Sequence, residues 1–382
     1  MDDEDRDDAV LESAEAIIPT PGIAQTHSLY TTFWDKIVAE LDFCWRVMHE
    51  QEIKPFTIGI TGTDGKSTVT WIIAQALEKL LPEWHIHIPG NFDLPMSEVV
   101  YDIITKKQQA ENHIFVTECS SFMLYPMHEY QFTVGVWTNF APDHLNWHTD
   151  MKQYFAAKQH LIANSQVSFV HNSIWDQIDQ TLVNKTHLYP ETYDLSDTHF
   201  VWAHNEKNCA LSHEAIRACL KIIGIQMTDE QIHAAIATVY PLKHRLQPVK
   251  VMHGVTRYDD GKSTSAQALS AALTSFAEPI IIICGGSDKG DSFGGLGPLF
   301  ARNCAYWVFL GQTAPQFASI FETLGIPYSI EPTIVDVVKK AREKAQEHDA
   351  KKIVFSPGCA SFDMFKNYED RAHQFIAAIE NL

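Results

Sequence analysis

Thr57-Ile-Gly-Ile-Thr-Gly-Thr-Asp-Gly-Lys-Ser-Thr68 reads as a β-branched strand that enters a glycine-containing turn and leaves it as a helix. The backbone amides of Gly62, Thr63, Asp64 and Gly65 and the N-terminus of the following helix form a cradle for phosphate. Lys66 reaches the outer phosphates, Ser67 offers a hydroxyl to Mg²⁺, and Thr68 closes the motif. One departure stands at the front of the pattern: Ile60 occupies the first glycine position, and Gly59 falls one residue early. The strand before and the helix after supply the context that a phosphate loop requires.

Outward from this stretch, short apolar runs alternate with longer amphipathic ones. Strands are predicted at 56–61, 114–118, 133–139, 167–171, 279–284, 306–310 and 352–356. Helices are predicted at 66–80, 151–163, 209–223, 229–239, 264–276, 334–347 and 364–380. Such alternation predicts an α/β protein built on doubly wound parallel sheets, with ligands at the carboxyl ends of the strands. The residues before Lys54-Pro55 show little of it, and Tyr240-Pro-Leu-Lys243 reads as a hinge, so boundaries fall near 52 and 241.

Composition agrees. At 382 residues the chain is long enough for two or three domains, and 45% hydrophobic with 20% charged residues is ordinary globular usage. A net charge of −19 opposes non-specific nucleic-acid binding, which depends on cations neutralising phosphates. Part of that charge is the acidic run at residues 2–8. Seven cysteines without a paired spacing read as reduced thiols. With no long apolar run and an acidic start, no membrane association and a cytoplasmic location are expected.

Further polar groups follow predicted strands. Glu118, in Val116-Thr-Glu-Cys-Ser-Ser-Phe122, lies where a carboxylate can hold Mg²⁺. Thr138-Asn-Phe-Ala-Pro-Asp-His-Leu-Asn-Trp-His148 contains an Asp143-His144 pair better suited to Mg²⁺ than to zinc. Lys158 taken alone reads as a surface lysine. Three turns, 258–264, 285–290 and 356–362, present Gly, Lys, Ser or Thr at strand ends.

In order and spacing these stretches resemble the Mur ligase family, and within it the D-glutamate-adding branch. The likeness is strongest at 60–68, Gly90-Asn91, 118–122, 139–148, Tyr154–Lys158, His204-Asn205, His244-Arg245, 259–264, 285–290 and Ser356–Arg371. It implies a three-domain Mur ligase architecture: an abbreviated N-terminal domain of the UDP-sugar-binding type (1–52), a central P-loop doubly wound ATP-binding domain (53–241) and a C-terminal Rossmann-like domain that takes the amino acid (242–382). It also implies an ATP-dependent ligase that joins D-glutamate to UDP-N-acetylmuramoyl-L-alanine through an acyl phosphate, in peptidoglycan precursor synthesis.

The resemblance assigns roles by position. Lys66, His144 and Lys158 are catalytic. Residues 62–68 with His204, Asn205, Arg245 and Asp260 bind ATP. Two Mg²⁺ sites draw on Ser67, Glu118, His144 and Lys158, the last as a carbamate. Asn91, Ser120, Ser121 and Phe122 bind the acceptor. Lys262, Thr264, Lys289, Ser361, Phe362 and Tyr368 receive the amino acid.

The sequence departs from the family pattern at Asp64, Trp202, Gln247, Gly261 and Ser265. It also begins in what resembles the second half of the family's N-terminal domain; a parallel sheet lacking its first strands exposes an edge, which a homodimer or another chain is expected to cover. Two other readings keep the same residues: a Mur-type ligase with a different acceptor or amino acid, and an inactive nucleotide-binding member that binds a partner.

Overall fold

Strand β1 (Phe56–Thr61) lies at the centre of a six-stranded sheet with β2 (His85–His87), β3 (His113–Glu118), β4 (Phe132–Trp137), β5 (Ser165–Val170) and β6 (Thr186–Leu188). All the pairings are parallel, in the order β2-β3-β1-β4-β5-β6. Every residue of β3 and β4 is buried, as expected for strands covered on both faces by helices. From β1 the chain crosses to β2 and β3 on one side and later returns to β4 on the other. That switch opens a crevice at the carboxyl end of β1, between β3 and β4.

The computed structural model describes residues 8–381 except 93, 146, 201, 203, 289–292, 295–296 and 301–303, with backbone only at 8, 204, 267, 298 and 300. The chain divides into two compact units: residues up to 201 with 205–240, and 202–204 with 241–382.

In the first unit, the helix Lys66–Leu80 buries Val69, Ile72, Ile73, Ala76 and Leu77, an i, i+3, i+4, i+7 stripe, in a cluster with Ile58, Ile60, Ile114 and Val116. The segment before Lys54 is not devoid of regular structure. Its helix Glu40–Glu50 buries Leu41, Cys44 and Met48 beside the helix Met96–Thr105. The buried Asp42 carboxylate accepts the amides of His128, Glu129 and Tyr130 at 2.8–2.9 Å, which fixes this helix to the loop before β4.

The second unit holds β7 (Gln247–Met252), β8 (Val255–Asp259), β9 (Ile280–Cys284), β10 (Cys304–Phe309), β11 (Tyr328–Ile330) and β12 (Lys352–Phe355), in the order β11-β10-β9-β12-β8-β7. Only the edge strand β7 runs antiparallel. The order brings the carboxyl ends of β8, β12 and β9 side by side. These are the ends from which the three polar turns leave. Among the described residues no helix is long and apolar enough to cross a membrane, and no cysteine is in a disulfide.

Candidate active site

The phosphate loop is shaped from its neighbour strand. Gly62 and Gly65 take φ of 151° and 81°, and a Cβ on Gly62 would lie 1.9 Å from Thr138 Oγ1. Just beyond β4, the Thr138 hydroxyl donates to Asp64 O at 2.6 Å. Asn139 brackets the same residue, accepting Asp64 N at 2.9 Å and donating to Asp64 O at 3.0 Å. Its Oδ1 also accepts Thr63 N at 3.2 Å. Two amides of the loop are therefore held by the protein itself. Anion-binding capacity falls to the helix start, where Gly65 caps without any side-chain bond and the first intrahelical bond is Val69 N to Gly65 O.

Lys66 Nζ donates to Gly62 O (3.0 Å) and Thr63 O (2.8 Å). Ser67 is buried in the first turn. The start of the helix His204–Ile222 adjoins the loop: a Cβ on Gly65 would meet Asn208 Oδ1 at 2.8 Å, and Asn208 donates to the buried Asn205.

Lys158 is no surface lysine. It is 1% exposed on the helix Met151–Ala163, donates to Gly62 O at 2.7 Å, and sits 4.6 Å from the Tyr154 ring centroid. Burial, then the charge of Lys66, push its ammonium well below the usual lysine range; Asp143, Asp64 and Glu118 oppose this.

Glu118 closes β3. Asn91 Nδ2 donates to Glu118 Oε1 at 2.9 Å, and Asn91 N bonds Glu118 O at 2.9 Å. The other carboxylate oxygen, Oε2, is buried without a hydrogen-bond partner. An orphaned carboxylate oxygen at the end of β3, beside the end of β1 from which the phosphate loop leaves, fits a hard divalent cation. Among the described residues no three His, Cys, Asp or Glu side chains converge as a dedicated cage. Mg²⁺ is commonly bound through one or two carboxylates together with substrate phosphates.

His144 takes a left-handed backbone (φ 57°), its amide and Nε2 lie 2.8 and 3.3 Å from Asp143 oxygens, and its ring packs edge-on to Phe122 at 4.7 Å. Ser120 caps the short helix Ser121–Leu124. Ser121 Oγ meets the buried His148 Nε2 at 2.8 Å, and burial pushes that imidazole down to about 4.

In the second unit, Asp260 is buried, accepting Ser356 Oγ at 2.7 Å and Leu246 N at 3.2 Å. Burial pushes its carboxyl up to about 7, against the pull of Arg245. Lys262 Nζ lies 5.1 Å over the Tyr368 ring, Ser361 is buried, and Phe362 is 75% exposed. Thr264 stands partly buried in the same turn as Lys262. Lys289 lies outside the described residues.

Sequence reasoning did not single out Arg371. It is fully buried and donates to Cys359 O and Ala360 O (2.9 Å) and to Gly261 O (3.0 Å), joining two of the three turns. The third turn joins them through Ser287 N to Ala360 O (2.9 Å). Thr138 and Asn139 stand in the stretch 138–148 that the sequence singles out, but their part in holding the phosphate loop shows only in the structure.

A parallel sheet carrying a phosphate loop at its switch point defines a nucleotide-dependent α/β enzyme, and comparison with known proteins narrows the class. Residues 60–234 match the family described as "Mur ligase middle domain". UDP-N-acetylmuramoylalanine–D-glutamate ligases of Nitratidesulfovibrio vulgaris and Aquifex aeolicus are each 30% identical over 97% of this chain, which spans 83% and 89% of their lengths. Among solved structures, MurF from Acinetobacter baumannii superposes with a TM-score of 0.65 (16% identity, 86% of this chain, 78% of that one). FolC of E. coli, in complex with DHPP and ADP, superposes at 0.63 (14% identity, 95% and 99%). The chain belongs to the Mur ligase family. It has the multi-domain Mur ligase fold and is an ATP-dependent acid–amino-acid ligase.

Proposed function

We propose that the chain joins D-glutamate to UDP-N-acetylmuramoyl-L-alanine in cytoplasmic peptidoglycan precursor synthesis. The observation that carries the reading is the gathering of the turns holding Lys262, Ser287 and Ser361 at adjacent strand ends. A lysine, hydroxyls and turn amides suit a dicarboxylate, since charge-assisted bonds are the stronger ones. The D-glutamate ligases among the relatives support the same choice.

In this reading an acceptor carboxylate oxygen attacks the γ-phosphorus of ATP, the bond to ADP breaks, and an acyl phosphate forms. The amine of D-glutamate then attacks the acyl carbon. Phosphate leaves with its C–O bond electrons, and the nitrogen loses a proton. Such transfers depend mainly on positioning and charge neutralisation. The helix start orients the phosphates, and Lys66 neutralises the outer ones. Arg245, Asp260, His204 and Asn205 contact the nucleotide. Asn91, Ser120, Ser121 and Phe122 hold the acceptor. Lys262, Thr264, Lys289, Ser361, Phe362 and Tyr368 receive the amino acid.

Ser67, Glu118, His144 and a carbamylated Lys158 would hold two Mg²⁺ ions, which supply charge neutralisation at the transferring phosphoryl group. Burial that favours the neutral Lys158 amine favours this modification, because only the neutral amine attacks CO₂. The domains are read as 1–52, 53–241 and 242–382.

Replacing Lys262 or Ser361 by alanine tests the amino-acid assignment. The KM for D-glutamate should rise about tenfold or more while that for ATP holds. Equal rises in both would refute the assignment.

A further inference from the structure

Arg245 stands between two non-glycine residues in the left-handed region, His244 (φ 62°) and Leu246 (φ 42°). A left-handed backbone on either side of one arginine is costly and persists only where surrounding bonds hold it. Here they are explicit. His244 Nδ1 lies 2.5 Å from Oδ2 of Asp259, a carboxylate with no exposure. Asp259 Oδ1 in turn accepts Gly261 N at 2.9 Å. His244 N donates to Gln247 Oε1 (3.2 Å), His244 O accepts Lys262 N (3.2 Å), and Leu246 N donates to Asp260 Oδ1 (3.2 Å). The turn is thus fastened to the end of β8 at both flanks of Arg245. Arg245 itself keeps a buried Nε with no hydrogen-bond partner. The bonds hold the backbone around the guanidinium and leave this donor unused.

We infer that His244 and Asp259 are positioning residues that hold the strained 244–246 turn so that Arg245 is presented to the nucleotide. The inference rests on the reading of Arg245 as a nucleotide contact. It adds that a buried His–Asp pair, which touches no substrate, sets that contact. Asp259 therefore matters as a carboxylate, because a charged acceptor holds the imidazole donor more strongly than an amide does.

The test is the affinity of the full chain for ATP, with turnover measured alongside, in Arg245→Ala, His244→Ala, His244→Asn, Asp259→Asn and the double variant His244→Ala/Arg245→Ala. Asparagine tolerates the left-handed region and keeps a donor near the Nδ1 position, so His244→Asn should stay within about threefold of wild type. Arg245→Ala and His244→Ala should each weaken ATP binding about tenfold or more, with Asp259→Asn between. The double variant should be no weaker than Arg245→Ala alone, because a residue acting through Arg245 has nothing left to position. The KM for the amino acid should move less than that for ATP.

Additive losses in the double variant would overturn the inference while leaving Arg245 a nucleotide contact. So would His244→Asn as weak as His244→Ala when both remain folded. Unchanged ATP affinity in Arg245→Ala would overturn both. If the alanine variant at 244 does not fold, the comparison of His244→Asn and Asp259→Asn in the presence and absence of Arg245 decides by the same criterion.

Discussion

Lys66 and Lys158 both donate to one carbonyl oxygen, that of Gly62, at 3.0 and 2.7 Å. One lysine comes from the phosphate loop, the other from a helix about ninety residues further on, and both converge on the turn at the carboxyl end of β1. Two cations on one acceptor repel. Burial first, and then the nearby charge of Lys66, hold Lys158 well below the usual lysine range.

Lys66→Ala should therefore lower turnover by about 10² or more, the usual cost of removing a preorganised charge stabiliser. Steady-state phosphate release checks it. Activity within a fewfold of wild type would remove Lys66 from the chemistry.

Lys158→Ala should abolish most activity and recover part of it with added small carboxylates. If the carbamate forms, ¹³C-labelled bicarbonate should give the wild type a carbamate carbon resonance that the variant lacks. Absence of that signal from active wild-type enzyme would reject the modification.

Much of this was legible in the sequence, and what was not has a physical cause. The helices Lys66–Leu80, Met151–Ala163 and Ile334–Glu347 and the strand Phe56–Thr61 stand where the spacing predicts them, because strong period and composition agree there. The edge strands His85–His87, Thr186–Leu188 and Tyr328–Ile330 carry three residues each, too few for any period. Lys158 illustrates a second limit. Its burial comes from the β1 turn and Tyr154 ring meeting over it; the residues around it in the sequence show only a lysine on a helix, and its assigned role rested on the family resemblance alone. Arg371 is a third case, for its acceptors lie more than a hundred residues away at Gly261 and nearby at Cys359 and Ala360.

Asp260→Asn should trade function for stability. A carboxyl raised to about 7 gives stability that is fully present below the unfolded value of 3.8 and is lost as pH rises through 7. Relative to wild type, the variant should gain about 2–3 kcal/mol between pH 5 and pH 8, at about 1.4 kcal/mol per titrated pH unit, while its ATP affinity falls. Denaturant unfolding at the two pH values measures the gain. The same stability difference at both would show that Asp260 does not titrate in this window.

Acid should weaken the first unit through His87. Burial first, then the imidazoles of His113 and His85 and the Lys106 charge, hold it near 4, and its Nε2 meets His113 Nδ1 at 3.0 Å. The unfolded chain takes the proton at its ordinary 6.5, so stability is full above that value and falls as pH drops from 6.5 towards 4. The contribution is up to about 3 kcal/mol. His87→Gln should flatten the pH dependence of the urea midpoint over that window; a slope unchanged from wild type would exclude His87 as a source.

Gly62→Ala should damage the loop specifically. The added Cβ would lie 1.9 Å from Thr138 Oγ1 at a φ that side chains rarely adopt, so Thr138 must release Asp64 O. A loss of about 1–3 kcal/mol in stability, with ATP affinity reduced more than tenfold, is expected from thermal unfolding and equilibrium binding.

The central claim is the reaction itself. Phosphate release should be measured with Mg²⁺-ATP, UDP-N-acetylmuramoyl-L-alanine and a panel of amino acids, and the product mass read afterwards. Release that requires both the nucleotide sugar and D-glutamate, with the mass of their amide adduct, is the predicted result. Release supported equally by another amino acid, or ATP binding with no turnover by any combination, would contradict it.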